Sequence, residues 1–277
     1  MTAEDHEKYP RAPVALVTVE ITFPGEIGGP IPMGVQRAMG EVLGDDWVLE
    51  QVQQPMPFNL VGQAVMPNPP SFPALQILRF ADRGRGTAVA LTAGSMSVET
   101  TRYGNWPEFR STLETAVKVT EGLLRPTGIV RVGVRYIDEL RVGGLEPPEW
   151  DRWLSPSVLS PGALAMAKAG WPASNWSGVT QYWIGEDRQL VCRFGPQPAQ
   201  PGFFVNPDGP LRRPAPRPEG PFFLLDFDAS WQPSVVPRWE SDSLLETCDQ
   251  LRLPVRYLFD QIVGERLVEE VFKKGDR

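Results

Sequence analysis

The chain has 277 residues, 42% of them hydrophobic and 22% charged, with a formal net charge of -7 and a single histidine. This is the composition of a folded globular protein, not of a disordered one. The acidic balance disfavours general nucleic-acid binding, which needs a basic footprint to displace counterions from phosphates, and leaves room only for a local patch.

The opening MTAEDHEKYP has neither the basic nor the apolar region of a signal peptide. No apolar run approaches the ~18 residues that would cross a bilayer. Cys192 and Cys248, the only cysteines, read as reduced thiols and point to the cytoplasm. The expectation is a soluble cytoplasmic protein without membrane contact. Its 30 prolines and 26 glycines predict short elements joined by many turns.

Residues 1–12 read as a polar tail. From Pro13 to Phe23 the sequence alternates, with Ala15, Val17, Val19, Ile21 and Phe23 on one side and Leu16, Thr18, Glu20 and Thr22 on the other. Period-two patterning rich in β-branched residues predicts a half-buried strand. Residues 31–43 suit a short helix. Strands are expected at 57–65, 74–82, 87–92 and 95–102, the last three as a meander. A helix then starts at Asn105, with Glu108 placed to complete a capping box. Trp106, Phe109, Leu113, Ala116, Val117, Thr120 and Leu124 supply its apolar stripe, and Pro126 and Gly128 end it.

The segment 128–142 alternates again, with Val130, Val132, Val134 and Tyr136 on one face and Arg131, Gly133, Arg135 and Ile137 on the other. A short helix is expected near 159–168, and strands at 176–184, 189–195 and 221–229. A long helix begins near Ser243, with Glu246 set for a second capping box and Pro254 predicting a kink or break. A last short helix is expected over 265–273. The order strand, helix, strands, long helix thus occurs in 13–127 and again in 128–277. This predicts an α+β fold, mainly antiparallel sheet with helices on one side, built from two similar halves by internal duplication. A single meander of coincidentally similar order is the alternative.

The stretches APVALVTVEITFP, YGNWPEF and RVGVRYIDEL, clearest within residues 9–142, resemble a sporadically distributed family of uncharacterised bacterial proteins of about this length. That resemblance implies a fold and a bacterial origin. It carries no catalytic residues over.

With His6 alone in the polar tail, histidine-based triads and metal sites are excluded. The chain has no CxxC pair, EF-hand loop, Walker A loop or nucleophile elbow. No metal, cofactor or catalytic residue is assigned, and whether the protein is an enzyme stays open. The sharpest constellation is borne on strands: Glu20, Arg131, Arg135, Asp226 and Asp228. If their faces line one cleft between the halves, the arginines would grip a phosphate or carboxylate. The alternative is a set of solvent-facing cross-strand pairs.

A second constellation lies in the latter half. Tryptophans gather at 150, 153, 171, 176 and 183, suiting either a partner surface or core packing, with Trp150 and Trp153 expected to be the exposed ones. The proline-rich insertion 196–220 carries Phe203, Phe204, Arg212, Arg213 and Arg217, and is longer than an ordinary loop. The leading expectation is a non-enzymatic interaction or regulatory protein that binds a protein partner through this arm and the exposed aromatics. The alternative is an enzyme or ligand-binding protein whose polar cleft takes a phosphorylated or carboxylated small molecule.

Overall fold

A computed structural model describes residues 9, 12–25, 31, 33–54, 75–144, 148–171, 173, 176–197, 211–213 and 220–273. The expected strand at 57–65 and the residues Phe203, Phe204 and Arg217 lie outside the described residues. In chain order the elements are β1 (Val14–Thr22), α1 (Met33–Leu43), β2 (Trp47–Gln54), β3 (Leu75–Asp82), β4 (Thr87–Leu91), β5 (Ser95–Thr100) and α2 (Trp106–Leu124). They continue with β6 (Arg131–Leu140), α3 (Pro161–Lys168), β7 (Gly178–Gly185), β8 (Arg188–Gln197), β9 (Phe222–Trp231) and α4 (Ser241–Ile262). Short helical turns over Glu265–Leu267 and Val268–Phe272 follow.

Among the described residues nine strands form one sheet in the order β2-β3-β4-β5-β1-β6-β9-β8-β7, with every pairing antiparallel. The fold is α+β. In each half the last strand of the run returns beside the first, β5 against β1 and β9 against β6. The two first strands, β1 and β6, pair with each other at the centre. The seam between halves is therefore a continuous strand ladder, and the main core runs across it.

One face of the sheet carries that core. Val17, Val19 and Ile21 of β1, Val132 and Val134 of β6 and Phe223, Leu225 and Phe227 of β9 are buried there. Leu113, Ala116 and Val117 of α2 and Leu244, Cys248 and Leu251 of α4 join the same cluster. The three- and four-residue spacing of these apolar positions forces both helices onto this one face.

Asn105 caps α2 as its position predicts, its Oδ1 accepting the Glu108 N–H at 2.9 Å. The second capping box does not form. Helix α4 starts at Ser241, two residues before Ser243, and the Ser241 hydroxyl donates to Glu121 Oε2 at 2.7 Å, tying α4 to α2. Nor does Pro254 break α4. Buried Leu251 and Val255 pin the turns on either side of the proline to the core, so tertiary packing outweighs the lost backbone bond.

Strand β1 departs from strict alternation at its start. A register shift between Val14 and Leu16 puts Val14 opposite Asp138 and Leu16 opposite Ile137. Ala15 accordingly packs with Ile137, Phe222 and Leu224 on the second face of the sheet, and not with the Val17 series. Bulges of this kind re-aim side chains, and this one turns Val14 toward the site described next.

Candidate functional site

The five strand-borne charges do share one face, the one opposite α2 and α4, but they answer one another. Arg131 donates to Glu20 Oε2 at 3.3 Å and to Asp228 Oδ1 at 3.2 Å. Arg135 grips Asp226 with two bonds of 2.7 and 2.9 Å, and Arg193 reaches the same carboxylate at 3.5 Å. Gly133 makes this possible: a Cβ there would stand 2.6 Å from Arg131 Nη1, blocking its path across the strands. Further along the same face Arg79 pairs with Glu99, and Arg85 pairs with Glu50 at 2.8 Å. The arrangement is a ladder of mutual ion pairs.

Part of the proline-rich insertion lies against this same face. Leu211 is buried on Ala81 and Ala88. The Arg212 N–H donates to Arg85 O, and Thr101 Oγ1 donates to Arg212 O at 2.6 Å. Arg213 Nη1 donates to Glu139 Oε1 at 2.6 Å, and Arg141 holds the other Glu139 oxygen at 2.8 Å. Residues 211–213 are thus bound to the sheet, with the Arg213 side chain largely buried and Arg212 exposed.

The tryptophans divide differently from the sequence expectation. Trp150 is buried, its ring edge-on to Phe223 at 5.3 Å. Trp153 is half-buried beneath the Arg266 guanidinium at 4.3 Å, and Trp176 also meets Phe223 edge-on. Phe223 on β9 offers a large apolar ring that the polar local sequence around Trp150 does not reveal. The exposed pair is Trp171, at 68%, and Trp183, at 78%.

The residues that converge on a concavity were not those singled out from the sequence. On the helix face, where β1 and β6 pass between the start of α2 and the second half of α4, lies a cavity of about 430 Å³. Tyr103, Asn105 and Trp106 line it from the entrance to α2, and Tyr136 and Asp138 from β6. Helix α4 contributes Arg252, Val255, Arg256 and Phe259, the one-face spacing of a helix, with Asp260 beside them. Asp249 holds the two helices at the rim: its Oδ1 accepts Trp106 Nε1 at 2.6 Å, and its two oxygens accept Arg110 Nε at 3.2 and 3.0 Å.

The cavity has a basic side. Arg252 lies over the Trp106 ring at 5.4 Å. Arg256 stands one turn further on, 3.6 Å from Asp260. Its Nε is buried with no hydrogen-bond partner among the described residues. Burial pushes the Arg256 guanidinium below its ordinary value; Asp260 works against this, and the neighbouring Arg252 charge adds to it.

The cavity also has an acidic point. Asp138 is only 3% exposed. Its directly opposed neighbours are Val14 and Leu225, neither of which offers a side-chain donor. Burial pushes its carboxyl up to about 8, and Asp226 across the sheet pushes the same way. Between the two poles, Tyr136 shares a 3.3 Å hydroxyl contact with Tyr103, and burial holds its phenol well above the usual range.

Sequence reasoning passed over both poles, although each leaves a signal. Asp138 continues the apolar series Val132, Val134, Tyr136, so it is an acid at a core-facing position. Arg252 and Arg256 flank Val255 within the buried stripe of α4. A charged residue inside an apolar period marks a place to look for a partner or a lined cavity.

No family model matches this chain, and a search of curated proteins finds no match. Among the described residues no helix is long and apolar enough to cross a membrane, and no group of His, Cys, Asp and Glu is placed to hold a metal ion.

Proposed function

We propose that this protein binds a small anionic molecule, a carboxylate or phosphate, in the cavity at the seam between its halves. The observation that carries this is the pair Arg252 and Arg256. Two guanidiniums one helical turn apart repel each other in a partly buried site, and among the described residues the buried Nε of Arg256 has no hydrogen bond, only an ion pair to Asp260 at 3.6 Å. An anion between them relieves both costs through charge-assisted bonds. The cavity volume and its mixed aromatic and polar lining suit a small molecule. The position between two halves of like order also fits descent from one duplicated unit.

Benzoate and phenyl phosphate are the first probes, titrated by calorimetry. Measurable binding that weakens at least tenfold in Arg256→Ala is expected. Absence of binding by both, with the variant no different from the native protein, rejects the proposal.

A second reading, a protein partner, draws support from β7. This edge strand, GVTQYWIG, has no charged residue to discourage pairing. Val179, Tyr182 and Trp183 are exposed on it. An extended, uncharged segment adding to this edge is the fitting partner. Trp183→Lys should then abolish any self-association or complex seen by sedimentation, and an unchanged sedimentation profile of such a complex removes β7 from consideration.

A further inference from the structure

We infer that the ligand of the seam cavity is bipolar: it carries a cationic amine that pairs with Asp138 and an anionic group that pairs with Arg252 and Arg256. This rests on the anion-binding reading above and adds the second end of the ligand.

The argument starts from what surrounds Asp138. The strands on either side present Val14 and Leu225. Its own strand presents Tyr136 and Leu140, two residues away on the same face. From the α2 entrance come Tyr103 and Asn105, from the N-terminal segment Tyr9 and Ala12, and from α4 Arg252, Arg256 and Asp260. Among the described residues none donates a hydrogen bond to the carboxyl. Among the described residues the charge that acts on it is Asp226, an acid. An uncompensated acid in a nearly dry site is costly, and buried polar groups are ordinarily answered. A ligand in the cavity would supply that answer.

A ligand that met only the arginines would leave that acid as it is. A ligand that met only Asp138 would leave the guanidinium pair as it is. The two poles face one cavity, and Val255, Phe259 and Trp106 form apolar wall between and around them. A molecule with an ammonium at one end, an acidic group at the other and methylenes between satisfies all three. Because Arg252 and Arg256 take carboxylate and phosphate alike, the shared chemistry is an ω-amino alkyl anion.

The test is a calorimetric series on the full chain. The probes are ω-amino acids from γ-aminobutyrate to ω-aminooctanoate, the ω-aminoalkyl phosphates of the same lengths, and matched chains lacking the amine. At one length the amine-bearing probe should bind at least tenfold tighter than its match. In Asp138→Asn that preference should fall to about one, because the amide has the volume of the acid and no negative charge. The length and anion that give the preference identify the spacing of the poles and the acid group. Matched chains binding as tightly as amines at every length would overturn the bipolar ligand while leaving the anion pocket standing. If neither series binds, and benzoate and phenyl phosphate also fail, both readings fall.

Discussion

Asp138 and Asp226 stand on the paired strands β6 and β9, one residue out of register and on opposite faces of the sheet: Asp226 is opposite Ile137, and Asp138 is opposite Leu225. Their fates differ. Asp226, fully buried, is gripped by Arg135 and Arg193, whereas Asp138 meets no base among the described residues and is pushed up to about 8. A folded-state value above the unfolded one means that, between about pH 4 and pH 8, the folded chain holds a proton that the unfolded chain has lost. Stability therefore falls as pH rises through this window, by at most about 1.4 kcal/mol per pH unit from this group. Above pH 8 the loss is complete, and below pH 4 it is absent. Asp138→Asn should be more stable than the native protein near pH 8 and equal to it near pH 4. Urea denaturation at the two pH values measures the difference; an equal gap at both rules out this titration.

The second-face ladder makes the opposite kind of prediction. Arg135→Met keeps the bulk of the side chain and removes the two bonds to a carboxylate with no solvent exposure. Leaving such a charge short of its partner is strongly destabilising. Because Arg193 still reaches Asp226, the expected cost is about 2 kcal/mol, below that of a fully orphaned ion. Probe binding in the seam cavity should not change, since Arg135 faces away from it. Weakened benzoate binding in this variant would return the ligand site to the ladder face.

These two acids also show where the sequence was readable. Period two grouped the charges strand by strand, Arg131 with Arg135 and Asp226 with Asp228, each opposite an apolar face, and the three- and four-residue spacing gave α2 and α4 an apolar stripe each. What periodicity lacks is the pairing register. Only the alignment of β6 with β9 shows that Arg135 faces Asp228 and lies diagonal to Asp226, which turns a candidate cleft into an ion-pair ladder. The shift at Ala15 is likewise a property of two strands, invisible in one. Strand β2 was missed because Glu50 and its glutamines dilute the alternation of WVLEQVQQ. The seam cavity needed the crossing of α4 over β6, a tertiary fact, before Asp138 and Arg256 could be seen together.

The two cysteines give a prediction independent of ligand. Burial pushes both thiols up to about 12, with Asp226 adding to Cys192 and Asp249 to Cys248. Both side chains lie within the main core. The thiolate is the reactive form, so neither should react with a thiol-exchange reagent in the native protein at neutral pH. Both should react in denaturant, and labelling should follow unfolding. Rapid labelling of native Cys192 would show that β8 opens locally.

Asp249 makes the seam itself testable. Its carboxylate is the shared acceptor for Trp106 and Arg110 of α2, and Arg252 lies over the Trp106 ring. Asp249→Ala should cost about 1–2 kcal/mol of stability, the range for hydrogen bonds to a charged group at a partly exposed site. It should also loosen Trp106 at the cavity rim, so probe affinity falls by more than stability alone would dictate. Asp249→Asn keeps an acceptor for Trp106 and loses most of the attraction to Arg110. If Trp106 positions the cavity wall, the asparagine variant should recover most of the probe affinity while remaining less stable. Equal loss of affinity in both variants would instead assign the effect to the Arg110 ion pair.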